Sequence, residues 1–207
     1  MKDNTPKQPT TIYLARHGET RWNVEKRMQG QMDSPLTERG QEQARMLRNR
    51  LVSENALTDH ENGIAMAFCS TLGRARETLE ICLEGTGIPH KALSELDEIC
   101  LGEWEGLTFS EVEKRWPEQF HNFWHRPSLY VPTANGESFQ DVQKRMFRAF
   151  EKIYHNYPGK RVLVISHWIA IKTLLARLKG LDLDHIPGIP KPENGEFQVL
   201  DFSWQCF

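Results

Sequence analysis

The chain has 207 residues, with 26 Lys and Arg against 28 Asp and Glu for a formal charge of −2. This near-balance gives no basic face for nucleic acid, and a hydrophobic content of 39% excludes a disordered chain. The longest apolar runs, such as Ile64–Cys69 and Val162–Ile165, fall far short of the roughly 18 residues that a membrane span needs. The length predicts one domain over residues 11–207 behind a polar tail at residues 1–10, with no apolar secretory signal. Cys69, Cys82, Cys100 and Cys206 lack CxxC spacing and read as free thiols of a reducing, cytoplasmic compartment. His121 and His125 have helical i, i+4 spacing. Without a third ligand nearby they read as surface or groove histidines, and no metal site is expected.

The predicted elements alternate. Thr11–Ala15 is a first strand by its apolar and β-branched content. Thr37 caps a helix that runs to Ser53, with Ala44, Leu47 and Leu51 at helical spacing. Ile64–Cys69 is a buried strand. The helix after it is capped by Ser70 or Thr71 and runs to Leu83, where Gly85 and Gly87 end it. Thr108 and Glu111 form a T-x-x-E capping box before Val112 and Trp116, and Pro117 ends that helix or starts the next. Ser138 caps a helix to Tyr157 that carries Phe139, Val142, Met146, Ala149 and Ile153 on one face. Pro158-Gly159 stops it. Arg161–Ser166 is a strand buried on both faces, a helix follows to Gly180, and Glu196–Trp204 is the final strand.

Strands separated by helices predict an α/β protein, a three-layer αβα sandwich around a mostly parallel central sheet. In such sheets ligands sit beyond the carboxyl ends of the strands. Three polar clusters fall there: Arg16-His17-Gly18-Glu19-Thr20, Ser70-Thr71-Leu72-Gly73-Arg74-Ala75 and Ser166-His167-Trp168. Taken singly, each reads as an ordinary surface loop. Taken together, they put two arginines and two histidines around one small volume, which suits a tetrahedral dianion such as phosphate. A neutral imidazole nitrogen is also a competent nucleophile toward phosphorus.

Leu14-Ala15-Arg16-His17-Gly18-Glu19-Thr20 resembles the signature of the histidine phosphatase superfamily, the phosphoglycerate-mutase-like proteins. The resemblance continues through Asn23, Gln29-Gly30, Asp33-Ser34-Pro35-Leu36-Thr37 with Gly40, and Ser70 to Thr78. It then takes in Leu96-Asp97-Glu98, Gly102, Trp104-Glu105-Gly106, Gly136-Glu137-Ser138 and Ser166-His167, so it spans nearly the whole chain. It implies a phosphoglycerate-mutase-like sheet with a short helical lid, here residues 108–136. It implies His17 as the nucleophile that becomes a phosphohistidine, and Arg16, Arg74 and His167 as holders of the phosphoryl oxygens. Glu98 matches the general acid and later base, and Asn23 a polar residue near the phosphate or substrate. Gln29, Gly30 and Trp168 complete the expected binding residues. No metal or cofactor is implied.

Elementary chemistry agrees with these roles. A leaving alkoxide is poor, so a protonated carboxyl helps the first step, and burial or the neighbouring Asp97 would keep Glu98 protonated. Judged by its surroundings alone, Glu98 reads equally well as a solvated acid in the stretch Glu95–Glu98. Trp168 departs from the family pattern, which usually has Gly there. It is expected to narrow the pocket or stack on substrate.

Mutase-type members usually carry a Tyr close after the acid glutamate, a longer insertion and an adjacent arginine pair. Here Ile99-Cys100-Leu101 follow Glu98, and the chain has no Arg-Arg dipeptide. Gly102-Glu103-Trp104-Glu105-Gly106 resembles the phosphatase-type branch. The expected activity is therefore hydrolysis of a small phosphorylated metabolite, with a cofactor-dependent mutase as the alternative. A non-catalytic phosphate or phosphopeptide-binding module is the reading from another class. Of the aromatics in residues 117–136, most are expected to pack the lid onto the body, and one or two that faced the pocket would favour an apolar or ring-shaped leaving group. Arg126 is the main candidate cation for a second anionic group. A homodimer is expected by family analogy only.

Overall fold

In the computed structural model, which describes residues 8–59 and 61–202, the apolar segments form a five-stranded sheet. Its strands are β1 (Thr10–Arg16), β2 (Ile64–Cys69), β3 (His90–Ala92), β4 (Arg161–Ser166) and β5 (Phe197–Phe202). Their order is β3-β2-β4-β1-β5. β4 runs parallel to both β1 and β2, and β2 runs parallel to β3. Only β5, on the outer side of β1, is antiparallel. The register pairs Arg16 with Ser166 and Cys69 with Ile165, so three carboxyl ends finish side by side. The final strand begins at Phe197, one residue later than expected, and the end of the expected span, Trp204, like Cys206, lies outside the described residues.

The helices are α1 (Arg21–Val24), α2 (Glu38–Ser53), α3 (Gly73–Leu83), α4 (Phe109–Arg115), α5 (Pro117–His125), α6 (Phe139–Asn156) and α7 (Trp168–Leu178). Alternation along the inner strands feeds two cores. Ile12, Leu14, Val162 and Val164 pack with α6 and α7. Tyr13, Ala15, Leu163 and Ile165 pack with Leu47 and Leu51 of α2 and Leu79 of α3. Helices thus cover both sheet faces, as a parallel sheet requires. Among the described residues no helix is long and apolar enough to cross a membrane.

Several ends follow local chemistry. Thr37 accepts the Gly40 N–H at the start of α2, and the Thr108–Glu111 capping box starts α4. Trp116 both ends α4 and precedes α5, with Pro117 as the first residue of the new helix. Ser138 and Asp141 form a second capping box at α6. The start of α3 differs from expectation. Neither Ser70 nor Thr71 caps it; the N-cap is Leu72, which gives no side-chain bond. The Asp33 carboxylate, remote in sequence, accepts the Gly73 and Arg74 N–H groups instead. The hydroxyls of Ser70 and Thr71 donate to Asp97, each at 2.7 Å.

Replacing Ser138 by Ala removes one cap oxygen while leaving the buried face of α6 intact. The expected cost is about 1 kcal/mol of folding stability, read as a lower urea midpoint with an unchanged slope.

Candidate active site

The end of β1 delivers Arg16 and His17, the start of α3 delivers Arg74, and the end of β4 delivers His167. Arg16 and Arg74 are each 2% exposed, and His167 is fully buried. The two imidazoles lie with ring centroids 5.0 Å apart. Arg74 is held by the carbonyls of Met32 (2.8 Å) and Gly30 (2.7 Å) and by an ion pair with Asp33 at 3.1 Å. Arg16 donates one bond, to the Pro192 carbonyl at 3.3 Å. The Nε of each arginine and both ring nitrogens of His167 are buried without a protein partner. Buried polar groups are normally satisfied, so this cluster of donors suits an anion with several oxygens.

Nδ1 of His17 lies 2.7 Å from the Gly18 carbonyl. A carbonyl only accepts, so Nδ1 carries the proton and the lone pair of the neutral ring resides on Nε2. Burial, then the charges of Arg74 and Arg16, hold the His17 pKa well below its ordinary value. Burial, then Arg74, His17, Arg145 and Arg16, do the same for His167. Burial also lowers Arg16 to about 10, which leaves it charged at neutral pH. The site therefore combines fixed positive charge with two uncharged imidazoles, one with a free lone pair in a known position.

Glu98 is buried and lines the same cleft. Its carboxylate accepts the N–H groups of Ile99 (3.0 Å), Ile169 (3.2 Å) and Ala170 (3.0 Å), the last two at the start of α7. Asp97 does not face it, since the Asp97 carboxylate is taken by Ser70 and Thr71. Arg145 of α6 clamps the loop that carries Glu98, donating to the carbonyls of Glu95, Asp97 and Glu98 while paired with Glu137 at 2.8 Å.

Arg16, His17, Asn23, Gln29, Gly30, Arg74, Glu98 and Trp168 all line one cleft. His167, its ring centroid 5.0 Å from that of His17, is the one expected site residue that is not part of the cleft lining. Asn23 is half-buried, and its side-chain oxygen accepts the Thr20 N–H at 3.1 Å. Gln29 accepts the Thr20 hydroxyl at 3.0 Å. Gly30 has φ of +52°, and a Cβ there would strike the Glu105 carboxylate, so glycine is required.

Trp168 is tolerated in place of glycine because it opens α7 and does not belong to the positive-φ residues. Its ring lies beside Trp124, centroids 5.4 Å apart. Of the lid aromatics, Phe109, Phe123 and Trp124 reach the cleft, whereas Tyr130 packs on buried Trp104. His121 and His125 are exposed, with ring centroids 4.6 Å apart. Arg126, expected as the cation for a second anion, is exposed and does not line the cleft; Arg27 does. The sequence singles out Asp33 only as part of a motif, with no role, and gives no sign of Arg145 or Asn194. Asn194 donates its side-chain amide to the His17 carbonyl at 2.5 Å. All three act across long sequence separations, and no local pattern signals Arg145 or Asn194.

Two histidines held neutral give stability a definite pH dependence. Below the ordinary pKa of about 6.5 the unfolded chain binds protons that the native site refuses, so stability falls as pH falls. The expected slope is about 1.4 kcal/mol per pH unit for each histidine below that value. Urea denaturation between pH 7 and 5 checks it: the double variant H17Q/H167Q is expected to flatten the slope.

The histidine phosphatase superfamily (branch 1) matches residues 12–206. A Cronobacter sakazakii protein named probable phosphoglycerate mutase GpmB is 40% identical over 173 residues, covering 82% of this chain and 75% of that protein. Bacillus stearothermophilus YhfR is 42% identical with a TM-score of 0.81, covering 93% of this chain and 96% of that one. A mycobacterial glucosyl-3-phosphoglycerate phosphatase, solved with VO3, is 27% identical with a TM-score of 0.81, covering 95% of this chain and 93% of that one. The motifs, the fold and these relatives agree: the chain belongs to the histidine phosphatase superfamily.

Proposed function

We propose that this chain is a metal-independent phosphatase that hydrolyses a small phosphomonoester through a phosphohistidine. The observation that carries this reading is His17, neutral and fixed through Nδ1 to the Gly18 carbonyl, in one cleft with Arg16, Arg74 and Glu98. Nε2 of His17 attacks phosphorus, the bond to the leaving oxygen breaks, and Glu98 gives that oxygen a proton. Water then attacks the phosphorus in line. Glu98 takes its proton, the P–N bond breaks, and phosphate leaves with the lone pair restored to Nε2. Arg16 and Arg74 supply fixed positive charge to the transferring oxygens, and His167 donates to one of them. Asn23, Gln29 and Gly30 shape the adjoining wall.

Hydrolysis is favoured over transfer by Ile99-Cys100-Leu101 after Glu98, by the missing Arg-Arg dipeptide, and by solved relatives described as phosphatases. The curated relatives named probable phosphoglycerate mutase keep the mutase as the second reading, in which a second substrate hydroxyl takes the place of water. A binding module would need neither the nucleophile nor the acid.

A phosphomonoester panel with p-nitrophenyl phosphate tests the class. Phosphate release is expected; binding without turnover of any member between about pH 5 and 8 would overturn the phosphatase and leave the mutase and the binding module. With 3-phosphoglycerate and 2,3-bisphosphoglycerate, phosphate release is expected, whereas accumulation of 2-phosphoglycerate would establish the mutase. Labelled substrate quenched in alkaline denaturant should leave label on the wild-type chain and none on His17→Ala. Glu98→Ala is expected to lower kcat by about 10²–10⁴ for a poor leaving group and by less for p-nitrophenolate, which leaves without a proton.

A further inference from the structure

We infer that Arg145 is a positioning residue for the acid: with Glu137 as its partner, it sets where the Glu98 carboxyl stands. The role rests on the phosphatase reading of Glu98, and Arg145 itself does not line the cleft.

Every N–H of this guanidinium is committed. Nε donates to Glu137 Oε1 at 2.8 Å, and Nη2 donates to Glu137 Oε2 and to the Glu98 carbonyl, each at 2.9 Å. Nη1 donates to the Glu95 carbonyl at 3.0 Å and the Asp97 carbonyl at 2.6 Å. A guanidinium has five donors in one fixed plane, so none is left for an anion. Arg16 and Arg74 differ in this respect, since each keeps a buried Nε without a partner.

Glu137 holds the other side of the acid. Its Oε2 also accepts the Cys100 N–H at 2.9 Å, and its own N–H donates to the Cys100 carbonyl at 2.8 Å. Glu98 is thus bracketed, by carbonyls of residues 95, 97 and 98 on one side and by the backbone of residue 100 on the other. Residues 97–101 lie between two short 3₁₀ segments, Ser94–Leu96 and Gly102–Trp104, so bonds to other elements set their path. Asp97 ties this loop to the end of β2 through Ser70 and Thr71, and Arg145 ties it to α6. Without Arg145, the Glu98 carbonyl would keep Gln31 as its donor, at 3.2 Å. A displacement of about 1 Å at a reacting group costs on the order of 10²-fold in rate.

The charge of Arg145 also opposes a proton on His167. Losing that charge acts on the phosphate pocket and so on all esters alike. Losing the position of the acid acts most on esters whose leaving oxygen needs a proton.

The test therefore compares phenyl phosphate with p-nitrophenyl phosphate, which share a ring but differ in the basicity of the leaving oxygen. Arg145→Met is expected to lower kcat/KM about tenfold more for phenyl phosphate than for the nitro ester. Arg145→Lys, with three donors and no planar fork, should fall between; it carries the same comparison if the Met variant does not fold. Equal losses on the two esters would overturn the inference. Amide hydrogen exchange gives a readout that needs no turnover. The Ile169 and Ala170 N–H groups, at the start of α7, bond to the Glu98 carboxylate. Arg145→Met is expected to speed their exchange about tenfold relative to Thr173 and Leu174 deeper in the helix, as Glu98→Ala should. Unchanged exchange at these two amides would equally refute the role. If the wild type turns over neither ester, the phosphatase reading falls, while the exchange still decides whether Arg145 places Glu98.

Discussion

Arg16 and Arg74 are buried side by side at the carboxyl ends of the sheet, each only 2% exposed. Removing two guanidiniums from water is costly, and much of the surrounding structure offsets that cost. Main-chain carbonyls of Gly30, Met32 and Pro192 accept from them, and Asp33 and Glu98 supply opposite charge. Neutralisation is incomplete, since the Nε of each arginine has no partner. The residual positive field has two consequences from one cause. It suits an anion, and it adds to burial, the larger cause, in resisting a proton on His17 or His167. A protonated imidazole has no lone pair, so in the proposed mechanism burial and the field that would hold a phosphate together preserve the group that would attack it.

The field would be of little use if the loop after β1 could move. Glycines at positions 18 and 40 lock it. A Cβ on Gly18 would meet the Gly40 carbonyl, and one on Gly40 would meet the Glu19 backbone. The first turn of α2 therefore rests directly on the His17 loop. Thr78 accepts the Gly18 N–H at 3.0 Å, and Gln43 accepts the Glu19 N–H at 2.8 Å. Two helices thus hold the peptide whose carbonyl fixes the His17 tautomer. The link from helix packing to nucleophile chemistry is only one residue long.

The parts of this arrangement that were legible in sequence are those written in neighbouring residues. The run Val162–Ile165 gave a strand, Thr108 and Glu111 gave a helix start, and the clusters after β1, β2 and β4 marked one end of the sheet. What was not legible depends on partners far apart in the chain. Ser70 and Thr71 have cap chemistry, yet Asp97 takes their hydroxyls and Asp33 caps α3. Nothing around Asn194 indicates that it bonds to His17. The strand β3, only His90–Ala92 and exposed throughout, lacks any hydrophobic alternation to betray it. Arg126 is the main candidate cation by being the one Lys or Arg among residues 117–136, but it lies just past the end of α5, exposed and off the cleft, while Phe123 and Trp124 reach it.

Glu98 shows how far fold and chemistry share the same atoms. A helix start leaves N–H groups without intrahelical partners, and α7 has no side-chain cap from its own N-cap residue, His167. Glu98 fills that role from another loop: Oε1 accepts Ala170 and Ile99, and Oε2 accepts Ile169. Both oxygens are used as acceptors. A glutamine in its place would aim an NH2 group at a backbone N–H, so the isosteric change disturbs the start of α7 as well as the acid. α7 in turn presents Trp168 and follows directly on His167. The acid, the buried imidazole and the indole at the rim are therefore one mechanical unit, set by the point at which β4 ends and α7 begins. Arg145 reaches that unit from α6 through the carbonyls of Glu95, Asp97 and Glu98. The proposed mechanism, which brings an acid and a base to one phosphorus, gains from this economy, because Glu98 is bonded to the α7 backbone that directly follows His167.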